Sequence, residues 1–467
     1  MSGLNGNNIK KTIYFLKRNG IRKTFYAVLE RCTEKKEDYN YIKPTKETLE
    51  EQKKYCFDKS YKFSILVPTF ETKEIYLREM IDSVLNQTYG NFELIIADAS
   101  KSDCVEQVVK TYPDKRILYE RLKKNEGISE NTNAALKRAQ GDYIGLLDHD
   151  DLLTEDALFE MAKAIEKGKK DGIEIQLLYS DEDKCDGEGK KFFEPHIKLD
   201  FNLDLMLSNN YVCHFMVMKK EMMKGLRFLE TYDGAQDYDI MLRCVATLLK
   251  GEGYEKTKNE LVCHLPKILY HWRCHEESTA VNPRSKMYAY DAGRIAVWHF
   301  LDEMLWRAVV RHSRHLGFYE IEEEDTFGEL GNIGAIGGKV IDRHNRITGC
   351  LWQQGKKPFE GLNVHLGGYM HRASLRQTMD TLDLRCIRVH PKLVGLFEEI
   401  TGMKYIEKKR SGLFCREKYK KTEEEWDALS RKFCDEVQKR GYRLVFYPQY
   451  VYKIRKNESI YKWSENS

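Results

Sequence analysis

The sequence predicts an α/β fold built on a mostly parallel sheet, in a chain of more than one domain. Three observations carry that expectation. Short apolar strands alternate with helical segments from Phe63 to Leu147, a pattern that calls for parallel strands joined by right-handed crossovers. Two of those strands run into carboxylates, Asp98 and Asp148, and sheets of this kind bind ligands outside the carboxyl ends of their strands. The chain has 467 residues, more than one core organises, and its 42% hydrophobic and 12% aromatic content can fill roughly two to three cores.

Residues 1–60 read as an N-terminal basic helical segment. Ile9, Ile13 and Leu16 fall on one helical face with Lys10, Lys11, Lys17 and Arg18 around it, and Phe25, Val28 and Leu29 continue the pattern after Gly20. Two readings stand side by side: a basic amphipathic helix lying on an anionic membrane surface, or a helix packed on the main domain. From Phe63 to Pro68 runs the first strand, closed by proline. Tyr76 to Asn86 is a helix, Glu93 to Asp98 a strand, Ile117 to Tyr119 a third strand, Ser129 to Ala139 a helix and Tyr143 to Leu147 a fourth strand. A charged stretch containing Glu322-Glu323-Glu324-Asp325 reads as a linker over 306–330. A second module, 331–467, opens with a hairpin, Gly334 to Val340 turning at Asp342–Asn345 into Ile347. It closes with a helix around Trp426–Arg440 and a strand, Tyr442–Tyr447. Gln236-Asp237-Tyr238-Asp239 opens a helix before Gly253-Tyr254, and the Trp426 helix likewise precedes Gly441-Tyr442, a faint internal repeat.

Composition excludes several classes. Lys plus Arg (77) against Asp plus Glu (73) leaves a net charge of +4, too small an excess for a nucleic-acid binder of this length. No run approaches the ~18 apolar residues of a membrane span, and the N-terminus lacks the apolar core of a signal peptide. Twelve cysteines are scattered with no Cys-x-x-Cys, which rules out zinc ribbons and thioredoxin-type redox motifs. The expectation is a cytoplasmic protein with reduced thiols; contact of the first helix with the inner face of the cell membrane is the peripheral alternative.

The strongest chemical signal is Leu146-Leu147-Asp148-His149-Asp150-Asp151 at the end of an apolar strand. Two carboxylates two positions apart can share a hard cation, Mn²⁺ or Mg²⁺, which bridges nucleotide phosphates and stabilises a leaving diphosphate. The bland alternative is an acidic helix cap before Leu152.

Its neighbours add a resemblance. Val67-Pro68-Thr69-Phe70, Ser83-Val84-Leu85-Asn86-Gln87-Thr88-Tyr89, Ile95-Ile96-Ala97-Asp98, Asn125-Glu126-Gly127-Ile128-Ser129 and Gly141-Asp142-Tyr143 precede the aspartates. Tyr179-Ser180-Asp181-Glu182-Asp183-Lys184, Gln236-Asp237-Tyr238-Asp239 and His271-Trp272-Arg273-Cys274-His275-Glu276-Glu277-Ser278-Thr279 follow them. In this order, across residues 61–305, they resemble inverting glycosyltransferases of family two. The branch is the one that builds bacterial O-antigens and other surface polysaccharides, rhamnosyltransferases among them. The resemblance implies the GT-A (Rossmann-like) fold and a nucleotide-sugar donor (UDP-, dTDP- or GDP-sugar). It also implies a glycan or lipid-linked acceptor and a divalent cation at Asp148-His149-Asp150. Asp98 resembles the carboxylate that recognises the base, with Thr69 and Glu71 on the loop beneath it. Asp148 resembles the ribose-side residue, Asp150 the direct metal ligand, and His275 a further ligand. Arg273 and Ser278 resemble the diphosphate clamp. Asp181 and Asp183 would meet the donor sugar and His214 the acceptor side. Asp237 resembles the catalytic base, which takes the acceptor hydroxyl proton. Gln236 stands beside it where many relatives have Glu. Helix capping is the alternative for Asp237, and a solvated acidic loop that for Asp183.

The second module resembles the acceptor-side half of another such domain. No Asp-x-Asp follows an apolar strand there, and Ser430-Arg431-Lys432 falls where a base would be expected, so the module reads as degenerate and non-catalytic. A sugar-nucleotide pyrophosphorylase is disfavoured, because Val67-Pro68-Thr69-Phe70-Glu71-Thr72 replaces the glycine-rich basic loop that would hold a triphosphate. A catalytically silent glycan-binding scaffold is the other alternative.

Overall fold

The computed structural model describes residues 6–33, 39–275, 287–328, 332–405 and 421–454. They divide into two units. An α/β unit takes Glu37–Phe201 and Asn210–Met304; a C-terminal unit takes Met1–Lys36, Asn202–Asn209 and Leu305–Ser467. These boundaries differ from the sequence reading. Helix α1 (Gly6–Thr33), two helical stretches that meet at Gly20 with φ +77°, groups with the C-terminal unit instead of forming a separate segment. Its contacts give the reason: Phe15 lies against the His315 ring, Tyr26 against His365, and Arg18 donates to the Ser313 carbonyl.

The α/β unit opens with α2 (Lys46–Lys54), capped by the Thr45 hydroxyl, which accepts the Thr48 N–H. Strands β1 (Phe63–Thr69), β2 (Phe92–Asp98), β3 (Ile117–Arg121) and β4 (Tyr143–Leu146) are parallel, in the order β3-β2-β1-β4. Helices α3 (Glu74–Leu85), α4 (Cys104–Val109) and α5 (Ile128–Arg138) make the crossovers. β1, β2 and β4 are mostly apolar runs because both of their faces are covered, while the edge strand β3 is only half-buried. Phe63, Ile65, Leu66 and Val67 are all buried, each stabilising by about 1.5–3 kcal/mol. The Asn125–Ser129 motif starts α5. Gly127 has φ +94°, and a Cβ there would collide with Asp233, whose carboxylate accepts the Ser129 N–H.

Past β4 the sheet is mixed, which corrects the mostly parallel expectation. β5 (Leu152–Leu153) and α6 (Ala157–Lys170) lead to β6 (Leu177–Cys185) and its hairpin partner β7 (Phe192–His196). The short helix α7 (Leu203–Ser208) belongs to the C-terminal unit. β8 (Met216–Lys219) runs antiparallel to both β4 and β6. After α8 (Gln236–Glu252) and α9 (Tyr254–Lys256), β9 (Val262–Arg273) lies parallel to β6 and antiparallel to β5, and α10 (Met287–Glu303) follows. β5 and β8 are two and four residues long, too short to leave a period in the sequence.

In the C-terminal unit, the stretch expected as a linker is a hairpin of β10 (Ala308–His312) and β11 (Tyr319–Glu323). Val310, Tyr319 and Ile321 point inward while their neighbours carry the charges, an alternation masked by the acidic run. β12 (Ile333–Ile341) turns into β13 (Ile347–Thr348) as expected. β14 (Gln377–Thr378), β15 (Ile387–Val389), α11 (Val394–Thr401), α12 (Glu423–Lys439) and β16 (Arg443–Lys453) complete it. The pairing scheme around β12 repeats that around β6. A parallel strand lies along one edge (β16; β9), and on the other edge an antiparallel strand pairs the first half (β15; β8) and a hairpin partner the second (β13; β7). α12 precedes β16 as α8 precedes β9. Its first turn is Glu423-Glu424-Glu425, closed by a Thr422–Glu425 capping box, so the position matching Asp237 lies there. Ser430 is instead a buried mid-helix residue whose hydroxyl accepts the Leu384 N–H. The register read from the sequence is therefore displaced by about two turns.

Candidate active site

The carboxyl ends of β1 and β2 bring Thr69 and Asp98 together, since the two are register partners. Asp98 is fully buried and satisfied. It accepts from the Tyr119 hydroxyl (2.7 Å), the Ser100 N–H (2.9 Å) and Arg121 Nη1 (3.2 Å), with the Thr69 hydroxyl at 3.4 Å. Glu71 is exposed and accepts the Lys101 and Ser102 N–H groups and the Ser102 hydroxyl, which hold its carboxyl down at about 2. It thus pins the loop after β2.

β4 delivers Asp148, His149, Asp150 and Asp151 to the same end of the sheet. The four have different surroundings. Asp151 is buried and accepts from the Tyr270 hydroxyl (2.5 Å) and the Arg273 N–H (2.7 Å). Burial and the charges of Asp150 and Asp148 push its carboxyl well above the usual range. Asp148 is also raised, by burial, with His214 opposing and Asp150 and Asp237 adding. Asp150 goes the other way: burial raises it, but His149 and the His275 hydrogen bond (Nε2 to Oδ2, 2.7 Å) outweigh that. His275 stacks on Tyr76, and its buried Nδ1 has no hydrogen-bond partner. The carboxylate oxygens of Asp148 and Asp150 are the hard donors that Mn²⁺ or Mg²⁺ prefers, but with His275 they are not among the groups of described residues whose ligand atoms converge within 4.8 Å.

Arg273 has a different setting from the expected diphosphate clamp. Its side chain is fully buried: Nε donates to the Asp150 carbonyl (2.6 Å), Nη1 to the Gly187 carbonyl (3.0 Å), and Nη2 lies 2.7 Å from Glu79. The guanidinium positions the aspartate loop instead of offering an open fork. Ser278 lies outside the described residues.

β6 carries the next two candidates. Asp181 and Asp183, expected to meet a sugar, are buried and paired elsewhere. Asp181 takes His264 Nε2 (2.9 Å) and the Lys198 N–H, and Asp183 takes His271 Nδ1 (2.5 Å) and the Tyr39 hydroxyl. Side chains alternate along a strand, so these two leave from one face and Glu182 from the other. Glu182 meets His214 Nδ1 at 2.9 Å and His196 Nδ1 at 3.1 Å, with Lys198 at 3.8 Å. Burial disfavours the charged His214 ring, yet the Glu182 hydrogen bond and charge, with Asp148 and Asp151, raise it to about 9.

Asp237 stands in the first turn of α8, whose N-cap, Ala235, makes no side-chain cap. Its Oδ2 accepts from Asn210 Nδ2 (2.8 Å). Ligand atoms of Cys213, His214 and Asp237 lie within 4.8 Å of one another. Burial and the nearby Asp237 and Glu182 carboxylates push the Cys213 thiol up. Gln236 is turned back, its Oε1 accepting the Gly234 N–H. Sequence reasoning missed Glu182, Asn210 and Cys213. The period-two rule applied to Asp181-Glu182-Asp183 would have separated Glu182; the other two carry no local signal.

Residues 64–227 match the model of glycosyl transferase family 2. An uncharacterized glycosyltransferase of Haemophilus influenzae is 30% identical over 39% of this chain and 71% of its own length. The chain belongs to glycosyl transferase family 2. Its α/β unit carries the GT-A architecture expected of this family. Among its relatives is the O-antigen biosynthesis protein RfbC of Myxococcus xanthus, 32% identical over 45% of this chain and 16% of that protein. A solved structure of S. aureus TarS 1-349 in complex with UDP-GlcNAc is 20% identical, with a TM-score of 0.40, over 52% of this chain and 66% of that one. The chain spans a quarter or less of the full length of its longer curated relatives.

Proposed function

We propose that this family 2 member is a metal-dependent, inverting glycosyltransferase. It would move a hexosyl or rhamnosyl group from a UDP-, dTDP- or GDP-sugar to a growing, lipid-linked bacterial surface polysaccharide. The observation that carries the reading is the gathering of carboxylates around Asp148: Asp150, bonded to His275, and Asp237 beside His214 and Cys213. Relatives named for O-antigen and teichoic acid biosynthesis support the choice of product. Asp98 and Thr69 hold the base and Asp148 the ribose. Asp148, Asp150 and His275 would hold Mn²⁺ or Mg²⁺, which when bound neutralises charge on the diphosphate. Asp237 Oδ takes the proton of the acceptor hydroxyl as that oxygen bonds to the anomeric carbon. The bond from that carbon to the diphosphate breaks, and the nucleoside diphosphate departs with the electron pair. Arg273 and Asp151 are positioning residues, fixing the loop on which Asp150 sits. His214, held by Glu182, borders the acceptor side.

The test is donor hydrolysis and transfer with UDP-, dTDP- and GDP-sugars, with and without Mn²⁺. Asp150→Ala should abolish metal-dependent turnover and donor binding while the protein keeps its melting temperature within a few degrees. Full activity of that variant, or in EDTA, rejects the metal assignment; no turnover of any donor by the native protein favours the silent scaffold.

A further inference from the structure

The C-terminal unit holds a cluster of basic side chains that the transfer reaction does not use. Arg314, in the β10–β11 turn, donates from Nη1 to the His365 carbonyl (3.3 Å) and from Nη2 to the Ser374 hydroxyl (2.8 Å). Lys339, a buried residue of β12, donates to the Val364 carbonyl one residue earlier (3.1 Å). The His315 and His371 rings stack at 3.9 Å with an 11° tilt. A Cβ on Gly367 would meet His371 Nδ1 at 2.9 Å and Arg314 Nη2 at 3.3 Å, so both nitrogens lie close against that glycine. Met370 and His371 hold left-handed backbone, φ +50° and +58°, which non-glycine residues adopt at a cost and which gathers at binding sites.

This cluster is under-compensated. Arg314 Nε, His315 Nε2 and His371 Nδ1 are buried without a hydrogen-bond partner, although buried polar atoms are nearly always satisfied. The carboxylates facing Arg314 are Glu30 of α1 and Glu320 of β11. Against them stand Arg314, Lys339 and, on α1, Arg18, Arg22 and Arg31, whose charges act on the histidines. Burial first, then Arg314 and Arg31, push His371 down to about 4, and burial with Arg314 brings Lys339 to about 7. An anion with several acceptor oxygens would satisfy all of these groups together.

The helix that completes the cluster also presents apolar residues to solvent. Ile21 is 80% exposed and Phe25 60%, with Ile13, Leu16 and Val28 exposed to lesser degrees, among Lys17, Arg18, Arg22 and Lys23. Apolar side chains flanked by cations suit an anionic bilayer surface, into which the former insert and to which the latter are drawn. No described helix is long and apolar enough to cross a membrane.

We propose that the C-terminal unit is a membrane-reading module: it binds the phosphate headgroup of an anionic lipid at Arg314, Lys339, His315 and His371 while α1 lies on the same bilayer surface. This goes beyond the transfer reaction and does not depend on it, because the readout is binding, not turnover.

The test is co-sedimentation of the full chain with phosphatidylcholine vesicles, alone or with about 20 mol% phosphatidic acid. The native protein should sediment with the phosphatidic acid vesicles and remain in solution with phosphatidylcholine alone. Lys339→Met with His371→Gln should weaken binding about tenfold or more, and so should Ile21→Asp with Phe25→Asp. Inorganic pyrophosphate should raise the melting temperature of the native protein and not that of Lys339→Met/His371→Gln. That arm tests the cluster without lipid; it distinguishes a phosphate site from attraction by the helix alone. Vesicle binding undiminished by Lys339→Met/His371→Gln overturns the site. So does equal binding to both vesicle types, no binding to either, or a pyrophosphate shift that persists in that variant. Should the double variant fail to fold, Lys339→Met alone, which removes a buried charge, carries the same comparisons.

Discussion

Asp237 occupies the first turn of α8 but does not cap it; its carboxylate is spent on Asn210 and faces Cys213 and His214. A helix-capping role therefore has no geometric support, and the side chain is free of any backbone duty that Asn would have to inherit. Asp237→Asn should keep donor affinity and melting temperature near native values while lowering turnover by on the order of a hundredfold or more, because Asn cannot accept the proton. Near-native turnover would move the base elsewhere, with Asp239 excluded first, since it is buried and paired with Arg243. Lys339 makes a separate residue-scale prediction. Burial, assisted by Arg314, lowers its folded pKa to about 7, whereas an unfolded lysine titrates near about 10.4. Between those values the unfolded chain binds the extra proton, so stability rises with pH across that window and the penalty is complete below it. In phosphate-free buffer, Lys339→Met should be more stable than the native protein by on the order of a few kcal/mol near pH 6, and the gap should close towards pH 10. Denaturant midpoints at several pH values give the answer; a gap that is flat or widens with pH contradicts the buried-ammonium account.

At the scale of single elements, what could be read from the sequence depended on the length of the apolar pattern. β1, β2 and β4 were legible because each is a mostly buried run that leads into proline or a carboxylate, and α12 because its period continues over 17 residues. β10 and β11 were not, because the acidic run hid an alternation that only five residues display. β6 is the instructive case. Its position follows from the motif, but the choice among Asp181, Glu182 and Asp183 needs the face, and an apolar tally does not give it. Asp181 and Asp183 each answer a buried histidine. Replacing either with Asn should leave donor affinity unchanged within about twofold and cost roughly 1–3 kcal/mol of stability, since a buried imidazole loses its charged partner. Isothermal titration of the donor and chemical denaturation on the same preparations decide this. A large loss of donor affinity at native stability would return these aspartates to the sugar site.

For the whole molecule, the α/β unit's fold and most of its site were legible because the residues lie at the ends of successive strands, so order along the chain maps onto position. The C-terminal unit was legible only as a pattern of strands and a helix, because what holds it is drawn from distant parts of the chain. Asp204, on α7, is buried and accepts from Arg376 Nε (2.9 Å), the Thr378 hydroxyl (2.7 Å) and Arg443, residues 172 to 239 positions away. Arg376 also meets Glu323 of β11 at 2.5 Å. No local motif announces such a cluster. Burial alone would raise the Asp204 carboxyl, but Arg443 and Arg376 outweigh it and hold it below the usual range. A depressed folded pKa contributes stability that is present above the unfolded value, about 3.9, and is lost as pH falls below it. Asp204→Ala leaves two guanidinium groups in a dry site without their shared counter-charge, an outcome that typically costs about 3–5 kcal/mol. Equilibrium denaturation should therefore show a large loss for Asp204→Ala at pH 7 and a smaller difference from the native protein below about pH 4, where the native carboxyl begins to protonate. Arg376 and Arg443 replaced together by Met, alongside Asp204→Leu, should recover much of that loss, because removing every charge of a buried cluster removes its desolvation penalty as well. Equal stability of Asp204→Ala and the native protein at pH 7 would mean that the arginines are satisfied without Asp204, and the C-terminal unit would then be held by its apolar core alone.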